Sequence, residues 1–221
     1  MPHPQSKCLT SLPVFADRAS EDGPRTVVCF GTPRGGTSMI AGAILGLGVP
    51  MGKDLGQNLE DPAFNMDWHD GTPAEFPAHA RQLIAERDAA HEIWGWKFPG
   101  AARYLDRIIG DLRAPHLVCV YRDPVPMALR ARKPPDKAAE LVVARLRAQV
   151  RNTTMVEALG VPCLMVSYEK AAAHPLVFIE ELASFLSLPV PGHVDEIVEF
   201  MAPGSYKDPD TLMSRLSPPQ G

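Results

Sequence analysis

The strongest constraint on the fold lies between residues 26 and 47. There an apolar run, Thr26-Val27-Val28-Cys29-Phe30, meets the turn Gly31-Thr32-Pro33-Arg34-Gly35-Gly36, after which Met39, Ile40, Ala43, Ile44 and Leu47 recur at helical spacing. A short, uninterrupted β-branched run reads as a strand buried on both faces, which belongs in a parallel sheet covered by helices on each side. A glycine-rich turn between such a strand and a helix gathers backbone N–H groups at the positive end of the helix dipole. That is where a phosphate is held.

The rest of the chain repeats the alternation. Ile93 to Phe98 (IWGWKF), His116 to Tyr121 (HLVCVY) and Pro162 to Ser167 read as three further strands. Helices are expected over about 77–90, 101–109, a short stretch after Arg122, a long span from an Asp136 N-cap to a Gly160 stop, 176–186 and 193–201. Alternating strands and helices give an α/β class with a central, mostly parallel sheet and right-handed crossovers. Residues 1–24, rich in Pro and Ser, read as a flexible leader. Residues 25–221 read as a single domain with an excursion at about 48–92, dense in Gly, Pro, Asp and Asn over its first part.

Composition excludes several partners. Twenty-two Lys and Arg against 26 Asp and Glu leave a net charge of -4, so no global field for nucleic acid exists. No apolar run approaches the roughly 18 residues of a membrane span or forms a signal h-region, and a cytoplasmic protein is expected. Cys8, Cys29, Cys119 and Cys163 form no C-x-x-C pair, and three of them sit in apolar runs, so they read as free, mostly buried thiols.

The chemistry concentrates in the glycine loop. Against the G-x-x-x-x-G-K-[ST] phosphate loop, Gly31, Gly36 and Ser38 match, but Thr37 stands where the lysine belongs. Without that lysine an ordinary ATPase is disfavoured, and Arg34 is the cation left to serve the loop. Arg122 follows a buried strand directly and so lies at the carboxyl end of the sheet, where ligands bind in open α/β folds.

A loop of the form P-[RK]-[SG]-G-T-[ST] resembles the 5′-phosphosulfate loop of sulfotransferases that use 3′-phosphoadenosine-5′-phosphosulfate (PAPS). The run PRGGTSMIAGAILGLGVPMG resembles the opening of bacterial sulfotransferase-family proteins. VCVYRDPVPMALR resembles their 3′-phosphate strand and turn, and SYEKAAAHPLVFIEELASFLSLP their C-terminal signature. The resemblance implies a three-layer P-loop NTPase-like fold and transfer of a sulfuryl group from PAPS, without a metal, to a hydroxyl or amine of a small-molecule, carbohydrate or other acceptor. It implies that Arg34, Gly35, Gly36, Thr37 and Ser38 cradle the 5′-phosphate and that Arg122 binds the 3′-phosphate. Arg130 stands where the family commonly has a serine, and it either adds charge to that site or faces solvent. The basic C-terminal segment common in the family is matched here only by PGSYKDP around Lys207.

Sulfuryl transfer needs an in-line acceptor, a base and cations over the sulfuryl oxygens. Lys97, in WGWKFPG, resembles a strand-end lysine that faces the sulfuryl group, and Glu60, in LEDP, resembles the glutamate base. His69 is the rival base, because imidazole titrates in the right range without help. Trp68, Trp94, Trp96 and Phe64 are near these candidates in sequence, where aromatic walls or core packing are both open. Two other readings remain: a P-loop kinase or nucleotide hydrolase with a displaced cation, and a non-catalytic PAP-binding homologue, PAP being the product nucleotide.

Overall fold

Five strands form one sheet in the order β1-β5-β4-β2-β3, where β1 is Ser11–Val14, β2 Arg25–Phe30, β3 Ile93–Lys97, β4 His116–Tyr121 and β5 Cys163–Ser167. The computed structural model describes residues 9–19, 22–131, 134, 137–202 and 204. β2 pairs in parallel with β3 and β4, and β4 with β5, whereas β1 runs antiparallel along the outer edge of β5. All six residues of β2 are buried, as its uninterrupted apolar run requires of a central strand.

The helices are α1 (Thr37–Gly46), α2 (Phe76–Ala90), α3 (Pro124–Arg130), α4 (Ala138–Leu159), α5 (Tyr168–Ala173), α6 (Pro175–Phe185) and α7 (Val194–Met201). Because side chains alternate along a strand, β2 feeds two cores. Val27 and Cys29 pack with α1, α6 and α7 on one face, and Val28 and Phe30 pack with α2, Trp94 and Trp96 on the other. The chain leaves β2 for β3 on one side and returns across β2 to reach β4. That reversal opens a crevice above the carboxyl ends of β2 and β4, the general ligand position of open α/β sheets.

Three expectations change. β1 lies inside the stretch read as a leader; Ser11–Val14 is short and carries a proline, so it has no strong strand pattern of its own. It is held by Glu181, which accepts hydrogen bonds from the hydroxyls of Thr10 and Ser11, both at 2.6 Å. The helix expected over 101–109 is instead three single 3-10 turns, Ala101–Arg103, Leu105–Arg107 and Ile109–Asp111. Tyr104 and Ile108, at φ -139° and -126°, interrupt the helical path, yet both are buried, so the apolar spacing imitates a helix. The segment after β5 starts its helix earlier than expected, with α5 broken from α6 at His174 before Pro175.

The boundaries around the cleft agree with expectation within a residue or two. The α4 stop is Gly160 at φ +59°, while the Asp136 cap lies outside the described residues.

Candidate active site

The crevice above β2 and β4 is a cavity of about 760 Å³ lined by Arg34, Gly36, Thr37, Ser38, Glu60, Lys97, Arg122 and Arg130. Of the candidate catalytic and phosphate-binding residues the sequence singled out, Gly35 and His69 do not line it. Gly35 is buried beneath the loop, where its N–H donates to Thr32 O at 2.8 Å and a Cβ would come 2.7 Å from that same oxygen. His69 stacks on His79, 4.8 Å between ring centroids, against the edge of Phe76.

The loop that begins the site is held at its first two residues. Asn152 of α4 donates from Nδ2 to Gly31 O at 2.9 Å, and Thr32 Oγ1 lies 3.4 Å from Met127 Sδ. Arg34 adopts φ +67°, a conformation non-glycine residues rarely take, and is exposed at the rim. Gly36, at φ +86°, is the N-cap of α1 and gives it no side-chain cap. The first N–H groups of α1 therefore face the cleft beside Thr37 and Ser38, the donor set an anion needs.

At one end of the cleft the side chains form a stack. The Tyr168 ring lies so close to Gly36 that a Cβ there would come 2.1 Å from it. The Arg122 guanidinium sits 4.1 Å from the centroid of that ring. Arg122 Nη1 donates to Arg34 O at 3.1 Å, tying β4 to the loop, and Gln149 of α4 donates to Arg122 O. Arg122 Nε is buried and makes no hydrogen bond; Glu169 Oε1 is 3.8 Å away. A buried donor facing a polar cavity without a partner suits an anionic ligand.

At the other end, Lys97 is 1% exposed, and its Nζ lies 2.9 Å from Glu60 Oε1, 2.9 Å from Asn58 O and 3.4 Å from Ser38 Oγ. Burial holds the Lys97 ammonium below its ordinary value, with Glu60 pulling the other way. Glu60 Oε2 in turn accepts from Asn65 Nδ2 at 2.9 Å.

The excursion that carries Asn58, Glu60 and Asn65 is firmly anchored. Asp61, 1% exposed, pairs with Arg87 of α2 at 2.8 Å, and Phe64 stacks on Trp96 at 4.4 Å. Leu59 takes φ +58° and is fully buried, a strained turn that sends Leu59 into the core and leaves its neighbours Asn58 and Glu60 lining the cleft.

The aromatic residues near Glu60 in sequence serve the core instead of the cleft. Trp94, Trp96 and Phe64 are buried together, and Trp96 Nε1 donates to Tyr104 Oη, which donates to Phe64 O. Trp68 is exposed away from the cavity lining. The cleft takes its aromatic surface from Tyr168 and Phe200. Lys207 lies outside the described residues. Sequence reasoning missed Tyr168, Asn58, Asn65 and the two α4 amides. Only Tyr168 carried a signal, its place directly after β5 at the carboxyl end of the sheet. Asn152 stands in a glycosylation-like triplet, which says nothing of its bond to Gly31.

Among the described residues no cluster of His, Cys, Asp and Glu is arranged to hold a metal ion, and no helix is long and apolar enough to cross a membrane. No family model matches the chain, and no curated protein matches it in sequence.

Proposed function

We propose that the protein is a sulfotransferase that moves a sulfuryl group from PAPS to a hydroxyl or amine acceptor, on a P-loop type α/β fold. One observation carries the reading. A single cleft joins an uncapped helix N-terminus that has no loop lysine, a guanidinium anchor on the neighbouring strand, and a lysine–glutamate pair at the far end. In this reading the N–H groups of residues 36–38 and Arg34 hold the 5′-phosphosulfate. Arg122, with Arg130 lining the same cleft, holds the 3′-phosphate, a group that ATP lacks. Lys97 steadies the sulfuryl oxygens and Glu60 accepts the acceptor proton. No metal is needed, because the cations that balance the departing phosphate are side chains. The buried free thiols Cys29, Cys119 and Cys163 suit a reducing compartment, which the reading takes to be the cytoplasm.

Lys97 favours a second reading. Its Nζ stands 3.4 Å from Ser38 Oγ, so β3 supplies a cation beside the loop serine, which a phosphoryl-transfer enzyme with a displaced lysine would also use. Calorimetric titration with PAP, ATP and ADP, each with and without Mg²⁺, separates the two. Metal-independent preference for PAP is expected; Mg²⁺-dependent binding of ATP with indifference to the 3′-phosphate would replace the first reading by the second. PAP binding without any release of sulfate from PAPS, with candidate acceptors present, would leave a nucleotide-binding homologue without activity.

A further inference from the structure

The ammonium of Lys97 has three hydrogens, and three oxygens lie around it: Glu60 Oε1, Asn58 O and Ser38 Oγ. Lys97 is only 1% exposed although it lines the cleft, so these three oxygens are its partners within the protein. In the ligand-free structure Lys97 has therefore no free donor for an incoming oxyanion. Glu60 is equally engaged, with one oxygen on Lys97 and the other on Asn65. Each carboxylate oxygen of Glu60 therefore already has a donor within the protein, the ammonium at 2.9 Å among them, before any acceptor arrives.

Resting on the sulfotransferase reading, we infer that Lys97 is a shared cation: it holds Glu60 until the donor arrives, then passes to a sulfuryl oxygen, so that Glu60 becomes a base only when PAPS is bound. The weakest of the three present contacts, to Ser38 at 3.4 Å, and the contact to Glu60 are the ones an oxyanion competes for; the Asn58 carbonyl keeps the ammonium in place. Once Lys97 turns, Glu60 keeps only the neutral amide of Asn65. The charged groups that line the same cleft, Arg34, Arg122 and Arg130, are by then occupied by the phosphates of the nucleotide. In the transfer itself a lone pair of the acceptor oxygen attacks sulfur and the acceptor proton goes to the Glu60 carboxylate. The bond from sulfur to the bridging oxygen breaks, and its electron pair leaves with PAP. The device orders the reaction, with donor binding ahead of acceptor activation.

The experiment needs no acceptor. PAPS and PAP are each titrated into the wild type and into Glu60→Gln, in buffers of different ionisation enthalpy at about pH 6, which reads the protons taken up on binding. Glu60→Gln is near-isosteric, and subtracting its result removes protons bound by the nucleotide's own phosphates. Greater proton uptake by the wild type than by the variant with PAPS, and equal uptake with PAP, is expected. As a second measurement, the ¹³C carboxylate resonance of Glu60 in the wild type should shift with PAPS and stay in place with PAP. PAPS that binds without either signal, or PAP that produces both, overturns the shared cation while leaving the sulfotransferase reading intact. Failure of both nucleotides to bind removes the reading and the inference together.

Discussion

The two ends of the cleft are prepared in opposite ways. At Arg122 the cation is fixed on an aromatic platform and tied to the loop, yet it retains a buried Nε–H without a hydrogen bond. At Lys97 the cation is more deeply buried still, and every hydrogen has an acceptor inside the protein. The first arrangement is complete in shape and incomplete in bonding, which suits the proposed recognition role: rigidity is built in, and a ligand would supply the missing partner. The second is complete in both respects, so a ligand must compete for it. In the proposed reading, recognition and chemistry are thus separated along one cavity by whether the donors are spent.

Four variants test that contrast, in falling order of effect. Gly36→Ala strikes the platform, because its positive φ and the overlap with Tyr168 act together; a loss of about 2–4 kcal/mol of stability is expected by chemical denaturation. An unchanged midpoint would show that Tyr168 is not fixed. Arg122→Ala should weaken PAP by about 10- to 100-fold, the worth of one lost charged contact, while barely changing the affinity for ADP. Equal losses for both ligands would remove Arg122 as the 3′-phosphate anchor.

Asn152→Leu should cost about 1–2 kcal/mol, because Gly31 O is left buried without its donor. It should also reduce PAP affinity by loosening the loop; a stability loss with unaltered affinity would confine α4 to a structural role. The smallest effect tests the other end. Burial gives Lys97 a lower folded than unfolded proton affinity, so the stability tied to it is fully present above 10.5 and is lost as pH falls through the lowered folded value. Glu60→Gln takes away the carboxylate that opposes this lowering. Thermal melts at a series of pH values should therefore show a steeper loss on acidification from about pH 10 to 7 in the variant. Parallel curves would mean that Glu60 is not what keeps Lys97 charged.

Much of this geometry was legible in the sequence because it follows from strand ends. Arg122 and Lys97 close apolar runs, and the loop of residues 31–36 joins such a run to a helix, so sheet topology alone carries all three to one crevice. Glu60 could be nominated but not placed, since its position depends on the Asp61–Arg87 pair and the strained Leu59, contacts between segments far apart in sequence. The 3-10 turns over 101–111 were unreadable for another reason: three turns burying Ala101, Tyr104, Leu105 and Ile108 produce the same apolar spacing as one α-helix. Asn65 and Asn152 act through single amide bonds that no periodicity announces.

The antiparallel edge strand has a consequence for handling the protein. β5 would end the sheet if Ser11–Val14 were removed, leaving its outward N–H and C=O groups open to another chain. A truncation at Arg25 should therefore yield protein that self-associates through this bared margin, and Glu181, deprived of the Thr10 and Ser11 hydroxyls, would face the gap with an unmatched charge.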